Sequence, residues 1–140
     1  MTTDVTSTGT STTTTVAAPR ILLYSDDRTV RERVRLAVGP RLAAGGPAIV
    51  WHEVATAAAV IDAADHQSWD LLVLDGEADK AGGMGMCRQL KNEVYNCPPV
   101  LVLTGRPQDA WLATWSLADG VVARPLDAIT LQQAVARLVA

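Results

Sequence analysis

Two unbroken apolar runs, Leu71-Leu72-Val73-Leu74 and Val100-Leu101-Val102-Leu103, limit what this chain can fold into more than any other feature. A strand that is apolar on both faces has to be covered on both faces, as in a parallel sheet between two layers of helices. Each run is far below the ~20 apolar residues of a membrane span. Each also stops at a polar side chain, Asp75 and Thr104. Ile21-Leu22-Leu23-Tyr24 is a third such run, closed by Ser25-Asp26-Asp27. Ala48-Ile49-Val50-Trp51 and Val121-Val122-Ala123 complete a set of predicted strands, the last followed by Arg124-Pro125.

Helical spacing fills the intervals. Val30, Val34, Ala37 and Val38 recur among Arg28, Arg31, Glu32, Arg33 and Arg35 until Gly39-Pro40, a helix-stop pair. Thr56 to Ala64 is alanine-rich, residues 84–94 carry Met86, Leu90 and Val94 one turn apart, and Gln108 to Ala118 reads as a fourth helix. A fifth places Leu131, Ala134, Val135 and Leu138 on one stripe. Alternating strands and helices give right-handed crossovers and one α/β domain. The expected fold is a flavodoxin-like (βα)5 doubly wound sandwich with parallel sheet order 2-1-3-4-5.

Residues 1–18 stand outside this pattern. Nine of the first fifteen residues are threonine, and such a stretch has little apolar surface to offset the entropy of ordering it. The expectation is a disordered tail followed by one domain over 19–140. The formal net charge of −3 argues against a protein that works through a basic nucleic-acid footprint. No basic segment precedes an apolar block, so no secretory leader is read. Cys87 and Cys97 lack the spacing of a redox pair. The expected placement is cytoplasmic, with no membrane association and no direct DNA binding.

In an open parallel sheet, ligands bind beyond the carboxyl ends of the strands, where the strand order reverses. The predicted ends supply Asp26 and Asp27, Asp75, Thr104 and Arg124. Clustered carboxylates repel unless a cation joins them, and an all-oxygen set with room for water suits Mg²⁺. A carboxylate facing a hydroxyl and a guanidinium is placed to attack a phosphoryl group and form an acyl phosphate on Asp75. Singly, each residue has a plainer reading. Asp26-Asp27 can cap a helix, Asp75-Gly76 and Thr104-Gly105 can be turns, and Arg124-Pro125 a strand exit. Their common position at one sheet edge favours the functional reading.

These residues, in this order, resemble the receiver domain of two-component response regulators over about Arg20 to Val139. The resemblance rests on Asp26-Asp27, Asp75 after its apolar run, Gly83, Thr104 and Arg124-Pro125. It implies phosphoryl transfer from a histidine kinase or phosphotransfer protein to Asp75. It further implies Mg²⁺ held by Asp26, Asp27, Asp75 and the Glu77 backbone carbonyl, with Thr104 and Arg124 on the phosphoryl group. On this reading the protein is no enzyme beyond its own phosphotransfer and dephosphorylation. Its output is contact with a downstream protein through the face formed by the fourth helix, fifth strand and fifth helix. Trp111 and Trp115 are candidate contacts there, and a homodimer is a further expectation.

The chain departs from the family at several places. Arg124 stands where a lysine is usual, and the two are not equivalent toward phosphate. Val121 stands where an aromatic is common, and Asp79 where a proline is common. These departures keep open a phosphorylation-independent pseudo-receiver that acts as an interaction or dimerisation module. A flavin binder on the same fold ranks last, because Asp26-Asp27-Arg28 is a poor anion cradle. His52 and His66 are read as surface or strand-edge residues.

Overall fold

The computed structural model describes residues 17–77, 83–94, 96–106 and 116–139. The strands are β1 (Arg20–Tyr24), β2 (Val50–Val54), β3 (Leu71–Asp75), β4 (Val100–Thr104) and β5 (Gly120–Ala123). All pair in parallel in the order β2-β1-β3-β4-β5, as the alternation of elements requires. The described helices are α1 (Arg28–Val38), α2 (Ala57–His66), α3 (Gly83–Glu93) and α4 (Ala128–Val139), α4 being the fifth helix expected from the sequence.

Period-two alternation splits the core into two layers. Leu22, Tyr24, Leu72, Leu74, Val100 and Val102 face one way, against Val60 and Ala63 of α2 and Met86, Cys87 and Leu90 of α3. Ile21, Leu23, Leu71, Val73, Leu101 and Leu103 face the other way, against Val30, Val34 and Val38 of α1 and Leu131 and Val135 of α4. β3 and β4 are buried along their whole length, which is what their two-sided apolar sequence demanded.

Capping side chains set where the helices begin. Thr56 accepts from the Ala59 amide at 3.1 Å at the start of α2, and Asp127 accepts from the Thr130 amide at 2.8 Å at the start of α4. α1 ends at Gly39 with φ 86°, a left-handed geometry that favours glycine. At the amino end of the sheet, Arg20 is held against the start of β3. Its backbone amide donates to Asp70, its guanidinium donates to the Ser68 carbonyl and to Gln67, and it stacks 4.6 Å from the Trp69 ring centre.

Three expectations shift. β2 runs two residues later than expected at its start and three at its end. Ile49 remains buried, whereas Val50, His52 and Glu53 are exposed on this edge strand. At the end of the expected fourth helix, Ser116 and Leu117 form a turn, with Leu117 in the left-handed region at φ 68°. The rest of that helix, including Trp111 and Trp115, lies outside the described residues, as do Asp79 and the tail over 1–16. His52 and His66 are exposed, His52 lying 5.4 Å from the Trp69 ring. Among the described residues no helix is long and apolar enough to cross a membrane.

Candidate functional site

The strand ladder builds the site. Asp75 ends β3 and pairs in register with Leu103, while Thr104 ends β4 and pairs with Ala123. Hydrogen bonds continue past the strand ends, from the Gly76 amide to the Leu103 carbonyl at 2.7 Å and from the Arg124 amide to the Thr104 carbonyl at 2.9 Å. They hold Asp75, Thr104 and Arg124 side by side at one rim. β1 ends at Tyr24 opposite Leu74, so the next residue, Ser25, meets Asp75.

Asp75 is 2 % exposed, and both of its carboxylate oxygens are engaged. The Ser25 hydroxyl donates to Oδ2 at 2.8 Å. Arg124 Nη2 donates to Oδ1 at 2.7 Å, and the Glu77 amide donates to the same oxygen at 2.9 Å. Charge-assisted bonds of this kind are the stronger class. A cavity of about 430 Å³ opens over the carboxylate, lined by Asp26, Asp27, Arg28, Asp75, Glu77 and Arg124 among others. The acidic side chains read from the first and third strands therefore do meet in one pocket. Burial, with Asp26 and Asp75 close by, pushes the Tyr24 phenol above its ordinary value.

Two buried donors at this rim, Thr104 Oγ1 and Arg124 Nε, have no hydrogen-bond partner among the described residues. Leaving such atoms unsatisfied costs about 1–3 kcal/mol each. A Cβ at Gly105 would come within 2.6 Å of the Glu77 carboxylate, so a side chain there would push the exposed Glu77 side chain aside.

Asp27 has a second duty. Its carboxylate Oδ1 accepts from the Thr29 amide at 2.8 Å, capping α1. The plainer reading of this residue therefore holds alongside its place in the pocket. Replacing Asp27 by alanine is expected to lower stability by about 1 kcal/mol, the usual effect of losing such a cap. Urea unfolding checks this.

Ser25 is a site residue that its sequence context does not single out. It is fully buried, touches Asp75 directly and accepts from the Asp27 amide at 3.0 Å. The signal was its position as the first residue past an apolar strand that neighbours β3.

Asp26, Asp27, Asp75 and Glu77, the residues that the resemblance implies around Mg²⁺, all line this pocket. Among the described residues no three His, Cys, Asp or Glu side chains are grouped to hold a metal ion. The deepest contact on Asp75 is a hydroxyl that donates a proton, Arg124 supplies the neighbouring positive charge, and an oxygen of Asp27 serves its helix cap. From Glu77 it is the amide nitrogen that contacts Asp75.

Comparison with known proteins gives a consistent picture. An uncharacterized response regulatory protein of Mycobacterium tuberculosis strain CDC 1551 is 51% identical over 121 residues, covering 86% of this chain and 91% of the relative. The corresponding protein of strain H37Rv matches to the same extent. The receiver domain of a Francisella response regulator superposes with a TM-score of 0.72 at 16% identity, covering 86% of this chain and 96% of that one. A chemotaxis response regulator of Vibrio cholerae gives 0.71 at 18% identity, covering 87% of this chain and 99% of that one. These structural likenesses concern the fold. No family model matches the chain.

Proposed function

Because the chain belongs to the response-regulator receiver family, we propose that it is a signalling protein that takes a phosphoryl group on Asp75. The supporting observation is the pair of unsatisfied buried donors, Thr104 Oγ1 and Arg124 Nε, at the rim that carries Asp75. A phosphoryl group on this carboxylate brings three acceptor oxygens to donors that have no partner among the described residues. Asp75 Oδ1 accepts from two nitrogens and Oδ2 from one hydroxyl, so Oδ2 keeps the more available lone pair.

In the transfer, an Oδ2–P bond forms as the P–N bond of a phosphohistidine breaks, and the imidazole nitrogen keeps the electron pair. Arg124 then offsets the charge on the transferred oxygens. The donor is a histidine kinase or phosphotransfer protein, and the output is contact with another protein. On this reading the site runs no turnover beyond its own phosphorylation and dephosphorylation. Incubation with Mg²⁺ and a small-molecule acyl phosphate, followed by intact mass, is expected to add one phosphoryl group. The adduct is expected to be absent in Asp75→Asn. No adduct with any donor, or an equal adduct in Asp75→Asn, overturns the reading.

One observation favours the second reading, a phosphorylation-independent interaction module. Asp75 is already closed on both oxygens by Ser25, Glu77 and Arg124. The same mass measurement separates the two, since an interaction module stays unmodified under every donor.

A further inference from the structure

Ser25 is held from every side. Its hydroxyl donates to Asp75 Oδ2 and accepts from the Asp27 amide, its amide donates to the Val54 carbonyl at 3.3 Å, and its carbonyl accepts from Arg31 Nη1 at 2.6 Å. Arg31 is itself paired with Glu53 at 3.1 Å. The hydroxyl is thus a fixed feature of the pocket floor. A carboxylate at this position would sit in direct contact with Asp75, and two carboxylates that close cannot both stay ionised without a cation between them. A serine removes that repulsion. Asp75 itself is then paired with Arg124 at 2.7 Å, while Asp26, Asp27 and Glu77 line the pocket around the pair.

We propose that Ser25 and Arg124 form a metal-independent clamp on the Asp75 carboxylate, with Ser25 as the positioning residue that lets Asp75 stay paired with Arg124 without a divalent cation bound to it. The proposal rests on Asp75 being the functional carboxylate, but its test does not require phosphorylation. Arg124 supplies through its guanidinium the charge that a cation would otherwise bring. Ser25 fixes the carboxylate plane by the hydrogen bond on the opposite oxygen.

The test is titration of the full chain with Mn²⁺, reading unbound ion by electron paramagnetic resonance. The parent chain and Ser25→Thr are expected to show no saturable site in the millimolar range. Ser25→Asp, which adds one carboxylate ligand beside Asp75, is expected to gain one site per chain, tighter by roughly tenfold or more, as ligand charge count governs such affinities. That gain is expected to vanish in Ser25→Asp combined with Asp75→Asn. Saturable binding by the parent chain that Asp75→Asn abolishes overturns the proposal. So does a Ser25→Asp chain that keeps its circular dichroism spectrum but gains no site. If Ser25→Asp does not fold, the melting temperature of the parent decides. Independence from Mg²⁺ supports the clamp, whereas a Mg²⁺-dependent rise that Asp75→Asn removes overturns it. A negative result in the phosphodonor experiment leaves these readouts unchanged, so the two ideas fail separately.

Discussion

Replacing Arg124 by alanine is expected to destabilise the protein by about 2–4 kcal/mol, somewhat below the range for a fully buried pair because the arginine is partly exposed. The Asp75 side chain is 3% exposed and its Oδ1 accepts from Arg124 Nη2 at 2.7 Å, so the substitution strands a buried carboxylate with only neutral donors around it. Adding Asp75→Asn to Arg124→Ala is expected to restore most of the loss, because the unpaired charge goes with it. Arg124→Lys keeps the charge but gives up the planar fork, and its loss is expected to fall between the parent and the alanine variant. Urea unfolding of the four chains measures this. Equal stability of parent and Arg124→Ala would show that the pair contributes nothing to folding.

The second large effect comes from the sheet itself. Leu103 is fully buried in β4, packs in the layer beneath α1 and α4, and stands in register with Asp75. Leu103→Ala removes three carbons from a close-packed interior and is expected to cost about 3 kcal/mol. For a domain of this size that corresponds to a fall in melting temperature of roughly 10 °C. Leu36 on α1 is 76% exposed, and Leu36→Ala is expected to change stability by less than about 0.5 kcal/mol. Calorimetry on both variants checks the contrast. Similar melting temperatures for the two would contradict the packing described.

The elements most legible in the sequence were those whose pattern had one physical cause. β1, β3 and β4 read clearly because a strand buried on both faces can be apolar throughout. α1 read clearly because Val30, Val34 and Val38 recur on one face among arginines. β2 begins later than the apolar run Ala48-Ile49-Val50-Trp51 suggests. Its residues Val50-Trp51-His52-Glu53-Val54 lie at the sheet edge with one face toward solvent, so polar side chains fall inside the strand and dilute the apolar signal. Ile49, buried just before the strand begins, drew the boundary toward itself.

The site was legible in part for a similar reason. Charged residues at strand ends stand out, so Asp26, Asp27, Asp75 and Arg124 were read directly, and all of them line the pocket. Ser25 carries no charge and resembles an ordinary turn residue. Only the β1–β3 register shows that its hydroxyl falls on Asp75. The capping role of Asp27 was legible as an alternative, and the geometry shows that a helix cap and a pocket wall are the same residue.

The anchoring of Arg20 has a practical bearing on how the molecule is handled. Its bonds to Gln67, Ser68 and Asp70 fix the entry of the chain at the rim opposite Asp75, with the five residues of β1 between them. At about 3.3 Å per residue that separation is about 16 Å. A fluorophore or immobilisation tether placed at Ala17, which is exposed, therefore emerges on the far side of the sheet and leaves the acidic pocket open to titrants and to binding proteins.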